Sequence, residues 1–414
     1  MINHNVDVTI IGAGPAGLAA AVSASEHGAK NILVIDRNSW VGGILPQCIH
    51  DGFGVEETGR SMTGPEYVDM YFNMAKERKI HILKETMVLK FNRNLKITAV
   101  NKEGLHNIST KSIVLAMGCR EKTRWNALIP GDRPSGIYTA GVAQSFINLY
   151  NIMPGRNVVI LGSGDVGLIM ARRLKFEGAN VLGVIEILPY ASGLPRNVVQ
   201  CLDDYDIPLF LNHTITYIKG KERLESITIA KIDKKMNIVS GSEKEIKCDT
   251  LLLSLGLIPE NELSKDVGIT IDNITGGPII NQNLETSLSG VFACGNCLQV
   301  YDTVDSLSID AKNAGKNAAC YKKNITNLKL KVVPGKGLRY IIPQVITVPG
   351  KIRFTLRVEK PKLTTSCIHF IINSKEIFKK KLPYINPANM IEINVDITKD
   401  LIKSNKNLEV VLSE

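Results

Sequence analysis

Two segments of this chain share one pattern: a short apolar run, a turn with the spacing Gly-x-Gly-x-x-Gly, and an apolar helix. The first copy occupies residues 6–27 and the second occupies residues 157–177. A short apolar run that leads into such a turn predicts a buried parallel strand, and the helix after it predicts a βαβ unit. Two such units restrict the chain to the α/β class, with two three-layer domains.

The glycines of the first turn each have a separate task. Gly12 permits the tight turn, Gly14 lets the backbone approach a pyrophosphate, and Gly17 lets the helix pack closely on the strand. Pro15 and Ala16 lie where the N-terminus of the helix offers N–H groups and partial positive charge to phosphates. The turn therefore predicts a Rossmann-like dinucleotide site.

An acidic residue follows the first turn at the distance that this site requires. The helix is predicted over residues 18–27 and a second strand over residues 31–35, which leads directly into Asp36. A carboxylate at the end of this strand accepts hydrogen bonds from ribose hydroxyls. We place the adjacent Arg37 in the same site. Because strand, turn, helix, strand and acid occur in order, the segment predicts a dinucleotide site rather than a glycine turn without a ligand.

The second copy repeats this order and ends in a glutamate. A strand is predicted over residues 157–161, a helix over 168–177 and a further strand over 180–185, which leads into Glu186. A carboxylate favours a free ribose 2′-hydroxyl and repels a 2′-phosphate, so it indicates NAD(H) rather than NADP(H). Arg196 lies ten residues beyond Glu186, so no basic pair replaces the acid. The residues predicted to bind NAD(H) are Gly162, Gly164, Asp165, Val166, Gly167, Glu186 and Gly256.

Three further segments resemble the glutathione-reductase-like flavoproteins. Residues 42–54 resemble their second glycine pair, residues 113–118 their strand ending in Ala-x-Gly, and residues 290–296 their second FAD signature, with Asn296 where an aspartate is usual. Residues 251–259 resemble the strand that closes their nicotinamide domain. The resemblance implies that the first copy binds FAD. The residues assigned to FAD are Gly12, Gly14, Pro15, Ala16, Gly17, Asp36, Arg37, Gly42, Gly43, Val88, Ala116, Gly118, Gly295 and Asn296.

The pattern of apolar and polar residues changes again near residue 330. Short alternating runs at residues 340–342, 352–356 and 368–372 lie between Pro, Gly and Lys clusters, which is typical of a small antiparallel β domain. The predicted fold is therefore α/β, with two glutathione-reductase-like domains and a small C-terminal all-β domain. We expect an FAD-binding domain of residues 1–118 and 277–325, an NAD(H)-binding domain of residues 119–276 and a β domain of residues 330–414.

The net charge of +10 suggests a nucleic-acid partner, but the position of the charge along the chain argues against one. From residue 322 onward, 18 Lys and Arg oppose 7 Asp and Glu, so the basic excess belongs to the C-terminal segment. Lysines that guard strand edges explain it better than an acidic partner, and nucleic acid is not expected because aromatic platforms are not interleaved. No run approaches the ~18 apolar residues of a membrane span. Eight scattered cysteines favour a reducing cytoplasm.

The cysteines limit where electrons can go after the flavin. The flavin-side glycine loop holds one cysteine, Cys48, whereas a disulfide reductase needs a pair. The CxxC of the chain, Cys294 and Cys297, overlaps the second FAD signature, which disfavours a redox disulfide there. No metal site is expected, because no second close pair of cysteines exists. Cys48 and His50 remain candidate catalytic residues beside the flavin, although a loop cysteine and histidine satisfied by backbone explain them equally well.

Segments 42–54, 63–67, 118–124, 129–141 and 194–197 are more specific than the general fold. Together they resemble a bacterial branch of the pyridine nucleotide-disulfide oxidoreductase superfamily. This branch is related to the α subunits of opine, hydroxyproline and sarcosine oxidising complexes, and some of its members are encoded beside a glycerol-3-phosphate-dehydrogenase-like flavoprotein and a small cysteine-rich protein. The chain departs from the opine and sarcosine relatives by lacking their extra cysteines and ending in a β domain.

The resemblance implies an FAD-dependent NADH:acceptor oxidoreductase that transfers hydride between nicotinamide and flavin. It also implies an electron-transfer subunit of a multisubunit dehydrogenase, of glycerol-3-phosphate or amino-acid and opine type, with a flavoprotein dehydrogenase and a small cysteine-rich protein as partners. A stand-alone NADH oxidase, or a quinone or disulfide reductase, is the alternative. An interaction protein that retains a nucleotide shell without catalysis is disfavoured by the intact turns and acids.

Overall fold

A computed structural model of the protein describes residues 1–322, 328–404 and 406–413. By their contacts the residues divide into two compact units. The first unit comprises Met1–Cys119 and Pro259–Glu414, and the second comprises Arg120–Ile258. The chain therefore passes from the first unit to the second and back once.

The strands and helices are numbered here in chain order. The strands are β1 (Ile2–Ile11), β2 (Ile32–Ile35), β3 (His81–Leu83), β4 (Met87–Phe91), β5 (Lys96–Asn101), β6 (Gly104–Leu115), β7 (Cys119–Glu121), β8 (Ile137–Thr139), β9 (Asn157–Leu161), β10 (Asn180–Glu186), β11 (Leu209–Leu211), β12 (His213–Gly220), β13 (Leu224–Lys231), β14 (Lys244–Lys247), β15 (Thr250–Leu253), β16 (Leu257–Pro259), β17 (Val291–Ala293), β18 (Leu330–Pro334), β19 (Leu338–Ile342), β20 (Val345–Ile346), β21 (Gly350–Val358), β22 (Ser366–Ile372), β23 (Lys375–Leu382), β24 (Ile391–Ile397) and β25 (Leu408–Ser413). The helices are α1 (Pro15–Glu26), α2 (Val55–Thr58), α3 (Gly64–Glu77), α4 (Ala140–Tyr150), α5 (Asp165–Phe176), α6 (Pro195–Cys201), α7 (Glu262–Asp266), α8 (Val304–Ala319) and α9 (Lys399–Lys403).

The first unit is built on a sheet with the order β3-β2-β1-β6-β5-β4, and β17 adds to β6. Strands β1, β2, β3, β6 and β17 pair in parallel, whereas β4 and β5 pair antiparallel. The predicted first strand began at residue 6, but β1 begins at Ile2 because residues 2–6 pair with residues 106–110 of β6. The parallel strands end together at one edge, where Gly12 and Asp36 follow β1 and β2.

Helix α1 begins at Pro15, three residues before the predicted start. Gly14 caps the helix in an extended conformation, and the fixed φ of proline suits the first helical position. The small side chains of α1 allow α8 to approach closely: a Cβ at Gly315 of α8 would lie 2.0 Å from the carbonyl oxygen of Ala20. The two helices therefore cover the sheet as one tight pair.

The second unit repeats the arrangement in a parallel sheet of the order β11-β10-β9-β15-β8, beside an antiparallel sheet β12-β13-β14. Strand β9 has the predicted bounds, and β10 extends one residue further, to Glu186. The segment 251–259, predicted as one strand, forms β15 and β16 instead. Gly256 has a φ of +91°, which interrupts an extended strand.

The C-terminal residues form two further sheets, β20-β18-β25-β22-β23 and β19-β21-β24. The inner faces of both sheets share one hydrophobic core that includes Phe354 and Phe370. The all-β prediction is thus confirmed, with the five-residue helix α9 as an addition. Strand β23 lies at a sheet edge and carries exposed Lys375, Lys379 and Lys381, which matches the expectation of lysine-guarded edges.

The division by contacts differs from the expected domains at both ends of the NAD(H) domain, since Cys119 also belongs to the first unit. Residues 259–276 belong to the first unit, whereas the sequence assigned them to the NAD(H) domain. The C-terminal sheets also belong to the first unit. Residues 323–325 of the expected FAD domain, and residues 405 and 414 of the β domain, lie outside the described residues. Which cofactor each domain binds stays a prediction.

Candidate functional site

The turn after β1 has room only for glycine at two positions. Gly12 has a φ of +108°, and a Cβ there would lie 2.3 Å from the carbonyl oxygen of Ala116. A Cβ at Gly17 would lie 1.8 Å from the carbonyl oxygen of Gly12. Real Cβ atoms do not approach a neighbour so closely, so both glycines are required by close backbone packing.

The N-terminus of α1 is suited to an anion. Gly14 caps the helix, and within the described residues no side chain accepts from its first turn. The first turn carries no acidic residue. Gly43 faces this turn: a Cβ at Gly14 would find the Cα of Gly43 at 3.9 Å as its nearest neighbour. Bare backbone and unpaired helix N–H groups fit a pyrophosphate.

The glycine pair 42–43 is held against this turn by the backbone. The Gly42 N–H donates to the Ala13 carbonyl oxygen at 2.7 Å. Gly42 has a φ of +99°, and a Cβ there would lie 2.6 Å from the Val68 side chain on α3. The structure thus brings the two predicted glycine segments together.

Asp36 is buried at the end of β2, where it is 8% exposed. Its Oδ2 accepts from the Ala13 N–H at 2.7 Å and its Oδ1 from the Asn38 N–H at 2.8 Å. Since a carboxylate oxygen can accept two hydrogen bonds, the group has capacity for a ribose hydroxyl. Arg37 is exposed, and Val88 is buried in β4.

The second predicted FAD segment joins the same edge of the sheet. Gly295 has a φ of +72°, and a Cβ there would lie 2.7 Å from the Cβ of Ala16 in α1. The Asn296 Oδ1 accepts from the Tyr301 N–H at 3.1 Å, which leaves its Nδ2 as a donor for a ligand. Gly118 has a φ of +73° and open space at its Cβ.

The second unit repeats the constraint of the first turn. Gly162 has a φ of +96°, and a Cβ there would lie 2.1 Å from the Ser254 carbonyl oxygen. A Cβ at Gly167 would lie 2.8 Å from the Gly162 carbonyl oxygen. Ser254 therefore has the position that Ala116 has in the first unit. The Gly167 N–H also donates to the Ser254 Oγ at 3.2 Å.

Glu186 accepts more hydrogen bonds than Asp36. Its Oε2 accepts from the Ser163 N–H at 3.0 Å, the Ser163 hydroxyl at 2.5 Å and the Ser192 hydroxyl at 3.0 Å. Its Oε1 accepts from the Leu188 N–H at 3.0 Å. The sequence prediction missed both serines: Ser163 is a hydroxyl residue inside the glycine turn, whereas Ser192 lies in the loop after β10 and has no such signal. These hydrogen bonds fix the carboxylate in place. Oε2 accepts three of them and Oε1 accepts one.

Two predicted NAD(H) residues have structural partners. The Asp165 Oδ1 accepts from the Leu194 N–H at 2.8 Å and from the Asn197 Nδ2 at 2.6 Å, so Asp165 ties the loop after β10 to α5. Val166 is half-buried and packs against the core of the second unit. Gly256 has open space at its Cβ.

A side-chain cluster that the sequence prediction missed fixes the end of the glycine loop 42–54. The hydroxyls of Tyr67 and Tyr71 donate to Glu57 at 2.6 and 2.5 Å, and Lys312 of α8 forms an ion pair with the same carboxylate. Burial, with Glu57 nearby, raises the pKa of Tyr67. Asp305 accepts from the N–H groups of residues 54, 56 and 57. Helix α8 thus anchors this loop through Lys312 and Asp305.

The candidate catalytic pair is placed unequally. Cys48 is 9% exposed, its thiol lies 3.6 Å from the Ile44 carbonyl oxygen, and burial raises the pKa of the thiol to about 12. These facts disfavour a thiolate at neutral pH. His50 is half-buried, with its ring centroid 5.1 Å from that of Phe53. A catalytic role for either stays a prediction.

The CxxC thiols are sealed inside the first unit. Cys294 and Cys297 are both 0% exposed, and the Cys297 thiol lies 3.2 Å from the carbonyl oxygens of Leu115 and Cys294. Burial raises the pKa of Cys297 to about 11 and raises that of Cys294 well above its usual range. In this conformation the pair cannot exchange with an external disulfide.

We expect alkylating reagents to distinguish these thiols from exposed Cys320. At pH 8 a thiol of pKa 12 is ionised in about one molecule in ten thousand, so Cys48 reacts slowly even where the reagent reaches it. Peptide mass spectrometry of a labelling time course should find Cys320 modified first, and Cys48, Cys294 and Cys297 only after unfolding. If Cys294 and Cys297 are labelled as fast as Cys320, disulfide reduction would again be a candidate activity.

Neither a cluster of metal-ligating side chains nor a membrane-spanning helix occurs in the described parts of the chain. Within residues 1–322, 328–404 and 406–413, no three His, Cys, Asp or Glu side chains cluster closely enough to hold a metal ion. No helix in those ranges has both the length and the apolar character needed to cross a membrane.

Comparison with known proteins identifies what the chain resembles. The family model described as Pyridine nucleotide-disulphide oxidoreductase matches residues 6–316. The NADH oxidase of Methanocaldococcus jannaschii is 27% identical over 348 residues, which are 78% of this chain and 71% of that protein. An opine oxidase subunit of Agrobacterium tumefaciens is 25% identical over 313 residues, which are 70% of this chain and 61% of that protein.

A solved structure supports the fold. The thioredoxin reductase of T. acidophilum superposes with a TM-score of 0.63 at 22% identity, covering 77% of this chain and 98% of the reductase. Several curated relatives, including the opine oxidase subunit, are longer, and the chain spans less than two thirds of their length.

Proposed function

Because this chain belongs to the pyridine nucleotide-disulphide oxidoreductase family, we propose that it is an NADH:acceptor oxidoreductase and the electron-transfer subunit of a multisubunit dehydrogenase. Membership makes it an FAD-dependent pyridine nucleotide oxidoreductase. The proposal adds the preference for NADH, the site residues and the nature of the acceptor. Its partner would be a flavoprotein dehydrogenase of opine, amino-acid or glycerol-3-phosphate type.

The first unit is proposed to hold FAD. Its helix N-terminus at Gly14, the facing Gly43 and the carboxylate of Asp36 would bind the pyrophosphate and ribose, and Asn296 would donate to the ribityl chain. When bound, FAD would supply the redox chemistry that the side chains lack. The protein's own contribution is to bind and orient, because the glycine turns fix the backbone that contacts the cofactor.

The second unit is proposed to hold NAD(H). The turn at Gly162–Gly167 repeats the geometry of the first turn, and Glu186 lies where a ribose would be bound. Three hydrogen bonds to Oε2 fix the carboxylate. A fixed negative charge at this point repels a 2′-phosphate and accepts from a 2′-hydroxyl, which supports NADH over NADPH.

The single observation that carries the choice of acceptor is the burial of Cys294 and Cys297. A reductase of disulfides needs a dithiol that its substrate can reach. A sealed pair that overlaps the proposed FAD segment supports electron transfer to another acceptor. The similarity to an opine oxidase subunit supports a protein partner, and the similarity to an NADH oxidase supports the second candidate, direct reduction of oxygen.

Turnover in air separates these two candidates. For an electron-transfer subunit, NADH should bleach the flavin rapidly without oxygen, whereas the isolated protein in air should consume NADH at well below the typical enzyme rate of about 10 s⁻¹. Purified protein that oxidises NADH in air at about that rate would favour the stand-alone oxidase. Absence of flavin bleaching by either nicotinamide dinucleotide would contradict both.

Replacing Glu186 with glutamine tests the nicotinamide preference. Gln keeps the shape and one oxygen acceptor but removes the charge, so we expect the ratio of NADPH to NADH dissociation constants to fall about tenfold, the worth of one charge-assisted hydrogen bond. Binding is measured by titration of the apoprotein and by anaerobic flavin reduction. Glu177→Gln is the matched control, since Glu177 pairs with Arg173 at the end of α5. Faster flavin reduction by NADPH in the unmodified protein would refute the preference.

A further inference from the structure

Side chains on one face of β21 contact residues 299–302, the segment that follows Asn296. Side chains two residues apart point to the same face of a strand, so Arg353, Thr355 and Arg357 form one row. Thr355 accepts from the Gln299 Nε2 at 2.9 Å. The row therefore reaches the chain three residues beyond Asn296.

Arg357 forms the second contact of this row. Its Nη2 donates to the Val300 carbonyl oxygen at 3.0 Å and forms an ion pair with Asp302. Its Nη1 donates to the carbonyl oxygens of Pro387 and Ala388 at 2.8 and 2.9 Å, within the β domain. One guanidinium thus joins the β domain to two residues of the segment, Val300 and Asp302.

Arg353 forms the third contact and is connected to Asn296 itself. It forms an ion pair with Asp310, and its Nη2 donates to the Ser306 hydroxyl at 3.0 Å. Asp310 accepts from the Tyr301 hydroxyl at 2.5 Å, and the Tyr301 N–H donates to the Asn296 Oδ1 at 3.1 Å. These contacts form a continuous chain from β21 to the amide of Asn296.

The two residues that link Arg353 to Asn296 are buried. Asp310 is 7% exposed and Tyr301 is 9% exposed. Burial raises the pKa of Asp310, and Arg353 opposes this shift by stabilising the carboxylate. Without the guanidinium, Asp310 would gain a proton more easily and accept the Tyr301 hydroxyl less strongly.

The local structure around Asn296 offers little rigidity of its own. Strand β17 before it has three residues and pairs with β6, and the turn at Gly295–Cys297 is a single 3₁₀ turn. Short elements of this kind are marginally stable without tertiary contacts. Contacts from β21 therefore add tertiary constraints on residues 299–302 before α8 begins.

We propose that Arg353 is a positioning residue for FAD, so that the C-terminal β domain forms part of the FAD site by holding Asn296 through Asp310 and Tyr301. This inference rests on the proposed FAD site and deepens it. In this proposal the β domain acts on FAD through the amide of Asn296, whose orientation it sets.

The test measures FAD affinity and release in an Arg353→Met variant of the full chain. Met keeps most of the side-chain length but none of the donors, and loss of a buried charged hydrogen-bond network weakens binding by about tenfold or more. We expect a raised FAD dissociation constant and faster FAD release, followed by the recovery of flavin fluorescence. Arg353→Lys, which keeps the charge, should recover part of the affinity.

Two variants keep the result interpretable. Arg339→Met removes an exposed arginine from β19 of the same domain and should leave FAD release unchanged. Tyr301→Phe removes one hydroxyl and retains the ring, so it tests the same chain if Arg353→Met fails to fold. The melting temperature of each apoprotein is measured in parallel, since a merely structural role would lower it without changing FAD release in the folded fraction.

The Asn296→Ala variant distinguishes a wrong FAD site from a wrong role for Arg353. If Asn296→Ala binds FAD as tightly as the unmodified protein, the proposed FAD site is wrong. If Asn296→Ala weakens FAD binding while folded Arg353→Met and Tyr301→Phe do not, the site stands and the positioning role of Arg353 is overturned. If all three weaken it and the Arg353→Met and Asn296→Ala effects are not additive, the chain of contacts is supported.

Discussion

Replacing Gly12 with alanine is expected to abolish the retention of FAD. The methyl group would lie 2.3 Å from the Ala116 carbonyl oxygen, and the φ of +108° is one that L side chains rarely adopt. Strain and overpacking together should lower the free energy of unfolding by about 2 to 5 kcal/mol. Since the displaced backbone is the one proposed to face the pyrophosphate, the FAD dissociation constant should rise by at least about a hundredfold.

Gly28→Ala is the matched control for this variant. Gly28 follows α1 with a φ of +94°, but within 4 Å of its Cβ position no atom is present. It therefore has the same backbone strain without the clash, and it should cost about 1 kcal/mol with FAD still bound. FAD content after gel filtration and chemical unfolding curves measure the two effects. Gly12→Ala with full FAD content would show that the turn is not the cofactor site.

Replacing Gly162 with alanine is expected to separate the two cofactors. Its Cβ would lie 2.1 Å from the Ser254 carbonyl oxygen at a φ of +96°, which repeats the Gly12 clash in the second unit. The variant should remain yellow, because the residues assigned to FAD lie in the first unit. Its anaerobic reduction by NADH should slow at least about a hundredfold, for the same energetic reason.

Gly178→Ala serves as the control for the second unit. Gly178 has a φ of +83° and open space at its Cβ, so its substitution adds strain alone. Reduction by a chemical reductant such as dithionite shows whether the flavin of Gly162→Ala is still reducible. Loss of FAD from Gly162→Ala, with a folded first unit, would contradict the assignment of one cofactor to each unit.

These paired predictions follow from a repeat that the sequence displays. The spacing of Gly12, Gly14 and Gly17 recurs at Gly162, Gly164 and Gly167, and in both units the first glycine lies under a carbonyl oxygen. The positive φ of both first glycines is a local demand for glycine, so the spacing can be interpreted without knowing the fold, whereas the carbonyl oxygens that exclude a Cβ there belong to the distant residues Ala116 and Ser254. The helix starts were predicted less well, because the turn ends at the second glycine and the helix begins at once.

The side-chain partners were beyond sequence reasoning. Ser192 reaches Glu186 across a loop, and Lys312 reaches Glu57 across 255 residues. The sequence does not indicate which distant group a polar side chain will contact, because that depends on how the helices and sheets pack. Whether Cys294 and Cys297 can reach an external disulfide likewise depends on their burial, which the sequence does not show.

The sequence by itself determined the two βαβ units, their glycine turns and the acids at the strand ends, because strand periodicity and backbone sterics are local properties. It also determined that a β domain follows. Only the tertiary structure decided which thiols are sealed, which serines fix Glu186, and that Arg353 of the β domain is linked to Asn296. Those features depend on contacts between residues far apart in the chain, and close packing of the folded core creates them.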